Sequence, residues 1–481
     1  MELTKENYKE LDWNEMTPDD DYYDFVHSLD QEEQVTFLKF ILEKHPEYDD
    51  EWIQVYFDIV DEWRKKGEWD KINAFADFVR EKSPEVHKKE FQYLDDEPVL
   101  HALFQEDLEL VKIRFAETVS QPVKAVDSSL KTVFNILSTN RQYNEYTKEI
   151  AEKVWKPLRD SEKLIGGAEE NYVLFLYCSK LASAFDTIKA GAQVDWESFK
   201  EDLETINFRL IEPLTELPNI DGQIPEPDKF HKEIAYREEF RPRIFFSFLY
   251  YAHVEADIPI YWAFRAWMNI NGYMLEEEDA PKRKNWFAFT PAMLDKLGSR
   301  LVGFMGGNRA EMYMTFWTIP YLYDFFLKQE YIDEPTHQRL MEYYQFSKRR
   351  ILEGLGSTFW KYKGVYTWKR PQYLSEAEEL QEKKLMLDSI NWTREEGKET
   401  IQQYLNTLPE LPSYVVPPRV PSMFERMRKQ IASESNASLK NASFKNDSPK
   451  IGGTGPKRIK KKRKKKHVDN RKKGARKKKR K

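Results

Sequence analysis

The sequence predicts an all-α protein. Three observations carry that expectation. Apolar residues recur at i, i+3/4, i+7 in one stretch after another, the pattern of amphipathic helices. Gly and Pro, at 18 and 24 in 481 residues, are too few for a β-rich or wholly irregular chain. Two Ser/Thr-x-x-Glu capping boxes, Ser375–Glu378 and Thr393–Glu396, mark helix starts late in the chain. An apolar fraction of 40%, with 26 Tyr, 30 Phe and 13 Trp, is enough to bury a large core. A length of 481 residues fits two to four domains or one long repeat array, at roughly 100–200 residues per domain.

Residues 1–30 form an acidic N-terminal segment with neither a basic start nor an apolar stretch of signal-peptide type. Residues 31–212 are expected to be an α-helical hairpin array. Val35, Leu38, Ile41 and Leu42 share one face. Trp52, Val55, Tyr56, Ile59, Val60 and Trp63 make a second stripe, with Asp49 or Asp50 as a cap before it. Trp69, Ile72, Phe75, Ala76 and Val79 make a third. Leu100, Leu103 and Phe104 continue into Val111 and Phe115, and Val126, Leu130, Val133, Phe134 and Leu137 follow. Pro46, Gly67, Pro84 and Pro122 fall between stripes, where a helix must stop. Residues 213–228 hold Pro213, Pro218, Gly222, Pro225 and Pro227 and read as a linker.

Residues 229–406 are expected to be an aromatic-rich helical region. Rings crowd at Phe245, Phe246, Phe248, Tyr250 and Tyr251, and again at Tyr313, Phe316, Trp317, Tyr321 and Tyr323. Helices apolar nearly all round are central ones, so these rings read as core; an aromatic ligand pocket is the minor alternative. Within this region, residues 359–370 (FWKYKGVYTWKR) break the helical period, and the alternation about Lys363-Gly364 predicts a short β-hairpin. Residues 407–430 carry Pro409, Pro412, Pro417, Pro418 and Pro421 and predict an extended strap followed by a short helix. Residues 431–481 are Ser-, Asn- and Lys-rich and predict a disordered basic tail.

One helical pair carries a resemblance. Tyr56, Ile59, Val60, Trp63, Gly67, Trp69, Ile72, Val79 and Pro84 occupy the large, small and turn positions of a 34-residue helix–turn–helix unit. On these residues Ile53–Val86 resembles a tetratricopeptide repeat. Val60 and Ile72 depart from it, standing where that pattern has Gly and Ala. The resemblance covers one repeat and implies protein binding on a concave helical face. The segment Ser448–Lys466 resembles the Lys-rich zinc tails of SecA-type proteins but lacks their cysteines, so no metal site is carried over.

Charge is the strongest functional signal. The net charge is −6, yet Gly455–Lys481 holds 18 Lys/Arg and one acid, so the rest of the chain carries −23. Lys460, Lys461, Lys462, Arg463, Lys464, Lys465 and Lys466 run without a break, and Arg471, Lys472, Lys473, Arg476, Lys477, Lys478, Lys479 and Arg480 nearly repeat them. Such density attracts phosphate polyanions by releasing condensed counterions. No aromatic residue stands among them, so binding would be non-specific and salt-sensitive. Three readings remain open: contact with RNA, including ribosomal RNA; a nuclear or nucleolar address in a eukaryotic host; and a tail that is only solvated or docks on the acidic body. A second basic group, Lys348, Arg349, Arg350, Lys361, Lys363, Lys369 and Arg370, is interleaved with Trp360, Tyr362 and Trp368. Cations among rings suit a single strand, against the alternative that the rings pack inside and the lysines face water.

Other chemistry is sparse. The lone cysteine, Cys178, excludes an intrachain disulfide and sits in an apolar helical stretch as a buried thiol. His253, beside Glu255 and Asp257, reads as a satisfied surface or core histidine rather than a metal site, and Gly303–Asn308 as a helix break rather than a phosphate loop. The longest apolar run, Ile244–Val254, is far short of the ~20 residues of a membrane span. The sequons at Asn391, Asn436 and Asn441 read as chance matches in an intracellular chain. The sequence thus suggests a non-enzymatic interaction scaffold that needs no cofactor. Its helical body would bind a partner protein, its tail RNA or another polyanion, and no membrane is involved. An enzyme or ligand-binding protein using a pocket in residues 230–370, and a nuclear scaffold whose tail is a localisation signal, are the alternatives.

Overall fold

The periodic stripes fold as helices. The structure, a computed structural model, describes residues 3–5, 7–10, 25–45, 49–164, 167–205, 226–276, 285–301 and 309–412. Every regular element among them is helical and none is a strand, so the protein is all-α. No helix among the described residues is long and apolar enough to cross a membrane. Most of the Pro-rich 213–228 linker, the Gly303–Asn308 turn and the strap and tail beyond 412 lie outside the described residues.

The first stretch is a succession of hairpins. Helix α1 (Gln31–Lys44) starts on an Asp30–Glu33 capping box: the Glu33 amide donates to Asp30 Oδ1 at 2.9 Å and the Asp30 amide to Glu33 Oε2 at 3.0 Å. Helix α2 (Asp49–Lys65) begins at Asp49, so Asp49 and Asp50 are its first residues rather than its cap. It turns into α3 (Trp69–Lys82) through Gly67 at φ +69°. There the Glu68 amide reaches back to Trp63 O at 2.8 Å, a Schellman closure that needs the left-handed residue. Across this hairpin Tyr56 stacks on Phe75, with ring centroids 5.2 Å apart. Helices α4 (Pro84–Leu94), α5 (Asp96–Phe104) and α6 (Leu108–Ser120) follow. Each packs on its neighbour and on the next but one, and Val86, Phe91, Leu100, Val111 and Phe115 are buried between them.

The stripe at 126–137 is interrupted. A short α7 (Pro122–Ala125) passes through a π-turn at Val126–Leu130 before α8 (Lys131–Leu137). Helices α9 (Asn144–Arg159) and α10 (Glu170–Lys189) then pair along their lengths, and α11 (Trp196–Thr205) lies beyond.

In the second stretch, α12 (Pro227–Lys232) and α13 (Ile234–Val254) lead into α14 (Ile260–Glu276), α15 (Pro291–Leu301), α16 (Arg309–Lys328) and α17 (Glu334–Leu355). Helix α16 is the centre: every residue from Met312 to Phe326 is buried. It packs on α13, α14, α15 and α17. The crowded rings are its core, as the sequence suggests, with Phe287 stacked on Tyr331 at 4.9 Å and edge-on to Phe326 at 4.8 Å. Helix α10 packs against α13 and α14, so the residues on both sides of the expected linker share one hydrophobic core within the unit Met1–Pro417.

Where the sequence predicted a β-hairpin, the structure has a 3-10 helix, Gly356–Thr367. The alternating rings do not face opposite sides of a ribbon. Phe359, Trp360, Tyr362 and Val365 are all buried, because the segment is wedged between the first stretch and the last helices, α18 (Glu376–Asp388) and α19 (Arg394–Thr407). Gly364 is required by close packing, not by a turn: a Cβ there would lie 2.7 Å from Thr139 Cβ. Both expected capping boxes, Ser375–Glu378 and Thr393–Glu396, are formed.

Gly397 meets the same segment backbone to backbone. A Cβ on it would stand 2.6 Å from Ser357 N and 2.9 Å from Gly356 C. Alanine is the better helix former by about 1 kcal/mol, yet overpacking costs about 1–3 kcal/mol, and the obstruction here is rigid backbone. Gly397→Ala is therefore expected to lower the melting temperature followed by circular dichroism. A variant melting at or above the parent would show that the contact has slack.

Candidate functional site

The basic–aromatic group at 348–370 is the predicted site that lies fully in view. Its rings Trp360, Tyr362 and Trp368 and its Lys363 are spent on holding the fold. Trp360 is buried edge-on against Phe104 at 5.8 Å, and Tyr362 against Tyr313 at 5.1 Å. Trp368 is buried and donates its Nε1–H to Thr139 O at 2.9 Å. Rings so enclosed cannot stack on a base, so the single-strand reading of this patch is corrected. Lys363 donates to Phe104 O at 2.8 Å and to Glu106 Oε1 at 2.9 Å. Lys361 lies 5.7 Å from the Trp360 ring centre, and Lys369 gives its backbone amide to Ala256 O at 3.0 Å. Arg370 stands 3.8 Å from Glu376 and 3.9 Å from Glu379, and Arg350 is exposed on α17. The terminal cations from Lys460 to Arg480 lie outside the described residues.

Two members of the group, Lys348 and Arg349, belong to a different arrangement. Lys348 is only 6% exposed and Glu382 only 2%, and their charged ends meet at 2.5 Å. Four elements bring this about: α17 carries Lys348, the 3-10 helix Tyr366, α18 Glu382 and α19 Tyr404. Tyr404 donates to Glu382 Oε1 and Tyr366 to Oε2, each at 3.0 Å, and Lys348 also donates to Tyr373 OH at 3.2 Å. The carboxylate thus takes three donors from three elements.

Burial alone would pull the Lys348 ammonium down. The Glu382 charge and its hydrogen bond, together with Tyr344 and Tyr404, offset this and leave it above the ordinary lysine range. Burial, then the same carboxylate, pushes the Tyr366, Tyr373 and Tyr404 hydroxyls well above the tyrosine range, so all three stay protonated. A lysine held charged in this way is no nucleophile at neutral pH.

Two cavities flank the cluster. One of about 120 Å³ is lined by Gln345, Arg349, Leu352, Leu374, Tyr404 and Leu408 with the Lys348–Glu382 pair. The other, about 20 Å³, lies on the Trp317, Tyr321 and Arg370 side of the same pair. Sequence reasoning singled out Lys348 and Arg349 for a charge they carry, but not Glu382, which is 34 residues away and has no local signature.

The remaining sequence candidates resolve as structural contacts. His253 is buried, with Nε2 2.8 Å from Asp186 Oδ1. Arg141 binds its carbonyl at 3.0 Å and the Asp257 carboxylate at 3.1 Å. Burial, then Arg141, lowers the His253 pKa. Glu255 pairs instead with Lys328. No group of His, Cys, Asp or Glu that could hold a metal occurs among the described residues. Cys178 is buried, and burial pushes its thiol far up, as expected of an inert sulfur. The Asn391 side chain accepts from Trp69 Nε1 at 3.2 Å.

Asp96, on α5, shows the cost of an unpaired carboxylate. One of its oxygens is sealed from solvent without a hydrogen bond, and burial, with Glu97 beside it, pushes its pKa up to about 6. Comparison with family models, with curated proteins and with solved structures gives no match to this chain.

Two predictions follow from these charges. Lys348→Met leaves Glu382 buried and unpaired and is expected to cost about 3–5 kcal/mol, whereas Lys348→Met with Glu382→Leu costs much less. Equal losses in urea titrations of the two variants would show that the pair is not coupled. For Asp96, whose folded pKa is raised, native stability is full below the unfolded pKa near 3.8 and falls as pH rises through about 6. Asp96→Asn should therefore raise the melting temperature more at pH 7.5 than at pH 4.5; a gain independent of pH would contradict this origin.

Proposed function

We propose that this chain is a non-enzymatic interaction protein, with a helical body that binds a partner protein and a basic terminus that holds RNA or another polyanion. The observation that carries the proposal is the partition of charge. Eighteen Lys/Arg stand in the last 27 residues, against −23 on the rest. Neutralising several phosphates at once releases their counterions, which gives affinity without sequence preference. The body does not compete for this role through its 348–370 patch, whose rings are buried and most of whose cations are engaged with the protein itself.

The partner-protein half of the proposal rests on the hairpin succession. Stacked helical hairpins expose a continuous surface made from many short units. The tetratricopeptide-like pair at 53–86 belongs to that succession, and its implied role is the same. The cavity beside Lys348, at about 120 Å³, is small against the about 300–1,000 Å³ of usual metabolite pockets, which favours this reading over an enzyme of the 230–370 region.

Deletion of 455–481 tests the nucleic-acid half. RNA binding is expected to disappear at about 150 mM salt while the melting temperature stays unchanged. In the full chain, the logarithm of the binding constant should fall linearly with the logarithm of salt, with a slope of several units, at about −0.7 per neutralised phosphate on a single strand. RNA binding that survives the deletion overturns the proposal.

A further inference from the structure

We propose that the cavity between α17, α18 and the Leu408–Pro409 wall is a binding site for a small aliphatic carboxylate. The inference rests on which valences around it are spent and which are not. The two lining acids differ: Glu382 is engaged through both oxygens and Glu378 through one. Glu382 accepts from Lys348, Tyr404 and Tyr366. Glu378 turns its Oε2 to the Ser375 amide at 3.0 Å and to Ser375 Oγ at 2.6 Å, closing the α18 capping box. Of the acid oxygens in the lining, Glu378 Oε1 alone has no partner among the described residues.

The donors are not spent. Arg349 makes one hydrogen bond among the described residues, from Nη2 to Pro409 O at 2.5 Å, and that partner is an uncharged carbonyl. Among the described residues, four of its five N–H groups have no partner. The Gln345 amide stands on the same wall. Lys348 uses two of its three N–H groups, on Glu382 and Tyr373. A half-exposed guanidinium at the rim, above a buried ammonium, is a donor set for a carboxylate, which Arg takes in bidentate geometry.

The rest of the lining fixes the ligand's other end. Leu352, Leu374, Leu408 and the Pro409 ring give apolar wall. A cavity of about 120 Å³ has room for several waters. A carboxylate of five or six non-hydrogen atoms displaces that amount: its oxygens meet Arg349 and Gln345, and its methylenes lie on the leucines. No covalent step is involved, because the lysine is held charged by Glu382.

The test uses the full chain and sodium butyrate as probe, with sodium chloride, butylammonium chloride and butyramide as controls. The melting temperature should rise saturably in butyrate alone, following the linkage of ligand to the native state, with half-saturation on the order of a millimolar for six non-hydrogen atoms. Arg349→Gln is expected to weaken butyrate at least tenfold. Leu408→Phe, which fills the cavity and keeps the arginine, should abolish the effect. Each variant is compared with its own ligand-free melt, so a loss of stability does not mimic a loss of binding. An effect of butyrate no greater than that of sodium chloride, or an equal effect in Arg349→Gln, overturns the proposal.

Discussion

The close docking of the 3-10 helix Gly356–Thr367 is the constraint on which the described unit turns. It touches three parts of the chain that are far apart in sequence. Gly364 lies on Thr139, Lys363 ties to Phe104 and Glu106, and Gly356 meets Gly397 backbone to backbone. A side chain at either close approach would drive neighbouring backbone apart, and interiors packed as densely as proteins have no slack to absorb it. Because Trp360 and Trp368 go in with the segment, its docking also buries two of the largest apolar surfaces in the chain. Trp368 then finds its one obligatory acceptor in Thr139 O.

The same segment positions Tyr366, and through it one side of the Lys348–Glu382 cluster. Burying two charges is expensive, and their attraction repays the cost only when the remaining valences are satisfied. Here they are: the carboxylate receives two tyrosine hydroxyls besides the ammonium, and each hydroxyl is held protonated by burial and by the charge it faces. An apolar replacement of similar volume would hold the same helices without demanding one arrangement of them. The ionic cluster does demand one, since a shift of α18 or α19 along its axis would break bonds to Glu382 from several elements at once.

What was legible in the sequence is what is local. Helix faces such as Trp52–Trp63 and Trp69–Val79 appear where the 3.6 period puts them, and the capping boxes at Ser375 and Thr393 form because both partners lie within one turn. What was misread is tertiary. Gly364 looked like a hairpin turn because glycine and flanking rings are the local signature of one; its actual requirement, room for Thr139, is set by a residue more than 200 positions earlier. Lys348 looked like a surface cation because nothing near it in sequence announces Glu382. The Arg349–Leu408 cavity was invisible for the same reason: its walls come from three helices, the turn before α18 and the residues after α19. The aromatic crowding at 313–326 was legible as core because a helix apolar on every side can only be central.

The charge partition has a consequence that depends on distance. An acidic body repels the same polyanions that a basic terminus attracts, and at physiological salt each is felt over about 8 Å, one Debye length. The −23 of the rest of the chain therefore cancels the +17 of its end only where the two come within about that distance. The two compete only if the end folds back onto the body, and then by contact. Polyanion and body acids would be alternative partners for the same lysines, and both contacts weaken with salt. The phosphate backbone has the advantage, because its charge density condenses counterions whose release favours binding. The scattered carboxylates of the body, many already paired with their own lysines and arginines, hold few counterions to release.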